Sequence, residues 1–292
     1  MSAPSIFDRR LSRTRRARAA KTFSKADFLW REITERLAER LDDLNQVFPT
    51  ALALGSRGGL ARDALGGRGG IQWLVEADLA SEALSDQGPR LALDLEALPF
   101  SGGSLDLVFS AGDLHLVNDL PGCLVQIRQA LRPDGLFLGI LFGPATLAPL
   151  SQALLEAEAE LNVPVSPHVS PFVDIRDAAA LLQRAGFALP VADTETITVR
   201  YNEPLRLLQD LRLMGETSVL SERSRYPMRR QVLLNALAQL TKNTEGDGRI
   251  AVPFEVVFLA GWCPASSQQQ PARRGSGSMS LADALKPDQH SS

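Results

Sequence analysis

The chain has 292 residues, 45% apolar and 22% charged, which suits a protein folded around a substantial core and excludes a wholly disordered one. Its formal charge of −3 supplies no global basic field, so nucleic acid is not an expected partner. Two cysteines, Cys123 and Cys263, have neither disulfide-framework nor zinc-site spacing, and the longest apolar runs, such as 136–142, fall short of the roughly 20 residues of a membrane helix.

Residues 1–22 carry Arg9, Arg10, Arg13, Arg15, Arg16 and Arg18 without an apolar segment of the kind a secretory signal needs. They are expected to form a solvated basic arm; docking on an acidic surface is the functional alternative. Ser24 and Asp27 give a capping-box-like start to a helix whose Ile33, Leu37, Leu41 and Leu44 repeat at helical spacing and face the core.

From Thr50 short apolar runs at 51–54, 71–75, 91–93, 105–110 and 136–142 predict strands buried on both faces. Helical stretches at 60–65, 79–84 and 120–131 alternate with them. With further strands at 194–201 and 250–259, this pattern predicts an α/β fold built on a doubly wound, mostly parallel, seven-stranded sheet. A helical insertion is expected over 143–173, with a helix at 151–161 and a loop holding Pro164, Pro167, His168 and Pro171. Asp174 and Gly186 bracket the next helix, and helices are expected at 204–214 and 227–240. The main domain thus spans 23–263; residues 264–292, rich in Ser, Gln, Gly and Pro, are expected to be a disordered tail.

In such a sheet a ligand lies beyond the carboxyl ends of the strands. Gly55, Gly58 and Gly59 follow the first strand, where glycine lets backbone approach a ligand, although a plain strand-to-helix turn reads the same way. The second strand ends in Glu76, Ala77 and Asp78, roughly twenty residues on, where an acid can accept both hydroxyls of a ribose or simply cap the next helix. Asp94 follows the third strand, ahead of a Leu98-Pro99-Phe100 turn. Asp106 then opens the fourth strand, Leu114-His115-Leu116-Val117-Asn118-Asp119 follows it, and Leu131-Arg132-Pro133-Asp134-Gly135 precedes the fifth.

That series resembles class I S-adenosylmethionine-dependent methyltransferases. Ile6-Phe7-Asp8-Arg9, Phe48-Pro49, the Ser166 to Phe172 loop, Arg184-Ala185-Gly186-Phe187, Met214-Gly215-Glu216, Gly261-Trp262 and Arg274-Gly275-Ser276 narrow it. Together they look like the NADH dehydrogenase (complex I) assembly factor 5 family and its bacterial relatives. Because the resemblance begins at Ile6, a bacterial cytoplasmic protein is expected rather than one of the mitochondrial matrix. The resemblance implies S-adenosyl-L-methionine as cofactor. It places Gly55 and Gly59 in the cofactor loop, Asp78 on the ribose, Asp94 on the adenine amino group, Leu95 beside the adenine ring and Ser110 where the methionine part meets the acceptor. His115 is then a candidate base, while His168, Tyr201, Glu216 and Trp262 could face a substrate or hold the insertion in place. No metal site is implied.

The cofactor loop departs from the family pattern. Ala53 stands where an acid normally accepts from the cofactor amino group, and Arg57 brings a cation toward a sulfonium ligand. At about 4 Å and an effective dielectric near 20, two such charges repel by about 4 kcal/mol unless the arginine swings to solvent or pairs with the ligand carboxylate. Leu116 replaces a usual aromatic. Three functions follow from the resemblance. The first is a methyltransferase acting on a protein substrate, in particular a peripheral-arm subunit of complex I. The second is a non-catalytic assembly factor with a degenerate loop, and the third a hydroxylase of a complex I arginine. Malonyl-carrier-protein methyltransferases are a related alternative.

Overall fold

The computed structural model describes residues 5–268 except 225, 243, 245 and 247; the expected tail lies almost wholly outside the described residues. Seven strands, β1 (Thr50–Leu54), β2 (Trp73–Asp78), β3 (Arg90–Ala92), β4 (Leu105–Ser110), β5 (Leu131–Phe142), β6 (Ala188–Tyr201) and β7 (Ile250–Trp262), form one sheet in the order β3-β2-β1-β4-β5-β7-β6. Only β7 runs antiparallel to its neighbours. Strand order reverses between β1 and β4, which fixes the crevice at their carboxyl ends as the place for a ligand.

Alternation along β1 divides the core. Ala51 and Ala53 join a cluster with Trp30, Ile33, Leu37 and Phe109, whereas Leu52 and Leu54 join Val108, Leu124, Ile127 and Phe137 on the other face. Helix α2 (Phe28–Glu39) supplies the first cluster. It stops before Leu41, which is nonetheless buried in that cluster. Helices α3 (Leu60–Leu65), α4 (Leu120–Ala130), α5 (Ala148–Glu160), α6 (Ile175–Arg184), α7 (Pro204–Met214) and α8 (Arg230–Lys242) complete the fold. Asp119 and Asp174 cap α4 and α6 by accepting backbone N–H groups, as their sequence positions imply.

Three expectations are corrected. Strand β3, expected to be buried on both faces, is exposed at all three of its residues, because it is the edge of the sheet. The 79–84 segment is a single 3₁₀ turn over Ser81–Ala83, too short to repay helix nucleation, because the Asp78 carboxylate takes the Ala80 N–H and bends the chain as it leaves β2. The basic arm is no solvated tail. Residues 9–20 form helix α1 (Arg9–Ala20), capped by Asp8 through the Leu11 N–H, and Arg16 is buried beneath it.

Candidate functional site: a nucleoside cleft closed by arginines

After β1 the backbone folds back onto β2, with the N–H groups of Gly55 and Ser56 donating to the Ala77 carbonyl. Gly55 has φ +75°, and a Cβ there would stand 3.2 Å from the Asp113 carboxyl, so glycine keeps the crevice floor open for that acid. Asp113 leaves the short turn after β4. Its carboxylate and that of Asp78, the last residue of β2, both point into the crevice, where Asp78 is fully buried.

Arg16 lies between them. Its Nε and Nη2 donate to Asp78 at 3.1–3.3 Å, and Nη2 also donates to Asp113 Oδ1 at 2.7 Å. Burial opposes the charge of Arg16, but Asp113 and Asp78 outweigh it and hold its proton more firmly than in water. On the third acid, Arg9 of the same helix grips Asp94 through Nε and Nη2 and donates to the Leu116 carbonyl at 3.0 Å. Helix α1 therefore puts an arginine on each of the two carboxylates expected to read ribose and adenine.

Arg57 does not reach solvent. It sits at φ +46°, a left-handed conformation in which a non-glycine residue is strained, and its side chain is 1% exposed. Its guanidinium carbon lies 3.4 Å from the centre of the Trp30 ring, and Nη2 donates to the Gly112 carbonyl and Glu216 Oε1, both at 2.8 Å. Gly112, at φ +113°, allows this approach, since a Cβ there would meet Trp30 at 2.0 Å. Glu216 also contacts His115 Nε2 at 3.2 Å. Burial opposes ionisation of Glu216, but Arg57, His115 and Arg16 overcome it and hold its carboxyl at about 2, below its ordinary 4.5.

The sign for stability follows. A depressed carboxyl pKa stabilises the fold above the unfolded value, and that contribution is lost as pH falls from 4.5 toward about 2. Urea midpoints taken at about pH 5 and about pH 3 are expected to fall more for the wild type than for Glu216→Gln, which has no carboxylate to protonate.

Next to this cluster an apolar cavity of about 360 Å³ opens between α2, α5 and α7, lined by Trp30, His115, Phe142, Leu150, Phe172 and Leu211. His115 stacks at 6.2 Å on Trp30, and its Nδ1 is buried without a hydrogen-bond partner. His168 of the insertion loop lines the same cavity and is tied to Glu158 at 2.7 Å.

The structure thus brings Gly55, Gly59, Asp78, Asp94, Ser110 and His115 to one end of the sheet. Ser110 ends β4, fully buried, with Oγ unpartnered. Leu95 is also fully buried, packed into the apolar core on the β1 Leu52–Leu54 side. Ala53 lies in the opposite core cluster at 0% exposure, so an aspartate there would be surrounded by apolar side chains. Tyr201 ends β6 at the same end of the sheet but on its edge strand, whereas Trp262 lies at the opposite end, paired with Leu136 and packed on Phe48. Sequence reading missed the part played by Arg16 and Asp113, and placed Glu76 only as one of the acids that end the second strand. Glu76, fully buried, accepts from Ser56 and Arg62 at 2.7 Å each and anchors the glycine loop. Only the two-residue alternation along β2 hinted at it.

The acids expected to hold a nucleoside are present, but Arg9 and Arg16 occupy the space between them. Between Arg9, Arg16, Asp113 and Leu116 a cavity of about 20 Å³ remains, room for about one water molecule. As folded, the crevice does not fit S-adenosylmethionine. Among the described residues no group of three or more His, Cys, Asp and Glu is placed to hold a metal ion, and no helix is long and apolar enough to cross a membrane.

Residues 52–139 match the family described as "Methyltransferase domain". The chain is 37% identical to the human protein "Arginine-hydroxylase NDUFAF5, mitochondrial" over 95% of its own length and 83% of that protein. It is 33% identical to the "Malonyl-[acyl-carrier protein] O-methyltransferase" of Laribacter hongkongensis over 85% of this chain and 87% of the other. In fold it is similar to a Bacillus halodurans chain described as a candidate methyltransferase, with a TM-score of 0.54, 14% identity, and coverage of 80% of this chain and 99% of that one. A sheet of order 3-2-1-4-5-7-6, a glycine loop answered by acids after β2 and β3, and identity running through nearly the whole sequence all agree: the chain belongs to the NDUFAF5 family of S-adenosylmethionine-dependent methyltransferase-like enzymes.

Proposed function

We propose that this protein binds S-adenosyl-L-methionine between Asp78 and Asp94 once Arg16 and Arg9 are displaced, and modifies a protein substrate, a peripheral-arm subunit of respiratory complex I, in the bacterial cytoplasm. The observation that carries this reading is the pair of carboxylates at the ends of β2 and β3, each facing the crevice and each neutralised by an arginine of helix α1. A carboxylate buried as Asp78 is has no need of that arrangement for packing alone, since apolar residues of similar volume are often as stable. The cavity beside His115 and Glu216 would receive the acceptor side chain. Slightly higher identity over more of the chain, 37% over 95% against 33% over 85%, favours the protein substrate over a malonyl carrier.

A second reading, an assembly factor without catalysis, is favoured by the depth at which Arg57 is locked between Trp30 and Glu216. Mass spectrometry of the complex I subunits from cells with and without this gene separates the two. A gene-dependent added methylene supports the proposal, an added oxygen identifies a hydroxylase, and identical subunit masses with impaired assembly favour the non-catalytic role.

A further inference from the structure

Helix α1 has a second face that takes no part in the cleft. There Arg15 and Arg18 join Arg212 at the end of α7, and Arg223 and Arg229 in the segment before α8, around an open groove of about 1280 Å³. The acid that lines it is Glu158, whose carboxylate is already engaged by His168 at 2.7 Å and by the Ser166 N–H at 3.2 Å. Arg15 donates to the Ser218 carbonyl, and Arg223 has Asp8 at 3.7 Å. Among the described residues, Arg18, Arg212 and Arg229 have no carboxylate within ion-pair distance.

The result is a concentration of like charge on a chain whose net charge is −3. Burial first, then Arg223, Arg18 and Arg212, push the Arg15 guanidinium below its ordinary value, and Asp8 offsets them only in part. The rim is apolar as well: Val165 is 60% exposed and Met228 40%. A concave groove with cations at both walls and apolar side chains at its edge fits an extended chain carrying carboxylates and an occasional large apolar residue. A flat anionic membrane or a nucleic acid would instead meet the repulsion of the acidic remainder of the surface.

We propose that this groove docks an acidic, extended segment of a partner protein, its carboxylates on Arg18, Arg212 and Arg229 and an apolar side chain against Val165 and Met228. It names the partner-facing surface of the function proposed above. It does not depend on cofactor binding, because the groove and the cleft use different faces of α1.

Fluorescence anisotropy of the full chain with a labelled synthetic peptide of Asp, Glu and Leu tests it. The wild type is expected to bind, with affinity falling as salt is added. Arg18→Glu combined with Arg212→Glu is expected to weaken binding by about tenfold or more, whereas the control pair Arg176→Glu with Arg184→Glu, of the same net charge, changes it by less than about twofold. All four arginines are exposed, and thermal melts confirm folding of each variant. No binding by the wild type, or equal losses in the two pairs, overturns the proposal. So does equal groove-dependent binding of phosphatidylserine vesicles or a single-stranded oligonucleotide. A failed peptide result alongside a gene-dependent subunit modification would remove this surface and leave the catalytic reading standing.

Discussion

Arg16→Ala is expected to lower stability by about 3–5 kcal/mol, because it removes the cation shared by Asp78 and Asp113 and leaves two carboxylates facing each other with little water. For a chain of this size that is a fall in melting temperature on the order of 10 °C. The loss should shrink on mild acidification. Burial and Asp113 already raise the Asp78 carboxyl above its ordinary value against the pull of Arg16, and removing Arg16 raises it further; a group shifted that way destabilises the fold above its folded pKa and ceases to do so once protonated. Thermal melts of wild type and variant at about pH 7 and about pH 5 measure the difference, which narrows at the lower pH if the carboxylates are its cause. A difference that stays constant would assign Arg16 to packing alone.

The second large effect is expected at Arg57 and Glu216. Glu216→Gln keeps an amide oxygen to accept from Arg57 but removes the charge, leaving a guanidinium that is 1% exposed to be neutralised only by Asp113 at 3.5 Å. Arg57→Met leaves a buried carboxylate held mainly by His115. Each single change is expected to cost about 2–4 kcal/mol, and the double variant well below the sum, a coupling of about 1–3 kcal/mol in a double-mutant cycle read from urea unfolding. Additive losses would mean that the 2.8 Å contact contributes nothing beyond its separate parts.

Sheet architecture was legible because β1, β4 and β5 are apolar runs buried on both faces, so composition alone marks them; β4 was predicted at its observed limits. Strand β2 was placed two residues early because Ile71 and Trp73 are apolar although exposed or half-buried, while Glu76 and Asp78, which look like surface residues, are fully buried. Asp78 was singled out because its offset from the glycine loop is set by the length of a helix, a turn and a strand, and Asp94 by the family resemblance alone. Arg16 was not. Its partners lie 62 and 97 residues away, and an arginine run has the same composition whether it is solvated or folded over an acidic crevice. Arg57 was singled out as an anomaly, but its resting place depends on Trp30, Gly112 and Glu216 converging from three separate elements.

On the proposed function, Arg16 competes with a nucleoside for Asp78. Freeing that carboxylate costs the ion pair, so cofactor affinity should be reduced by about two to three decades relative to an open crevice. Isothermal titration of S-adenosylhomocysteine into wild type and Arg16→Ala, at a temperature where melts show both folded, measures this directly. The account predicts weak binding by the wild type and binding at least about tenfold tighter by the variant. Equal or weaker binding by Arg16→Ala would contradict it, placing the arginine among the ligand's partners instead of its competitors.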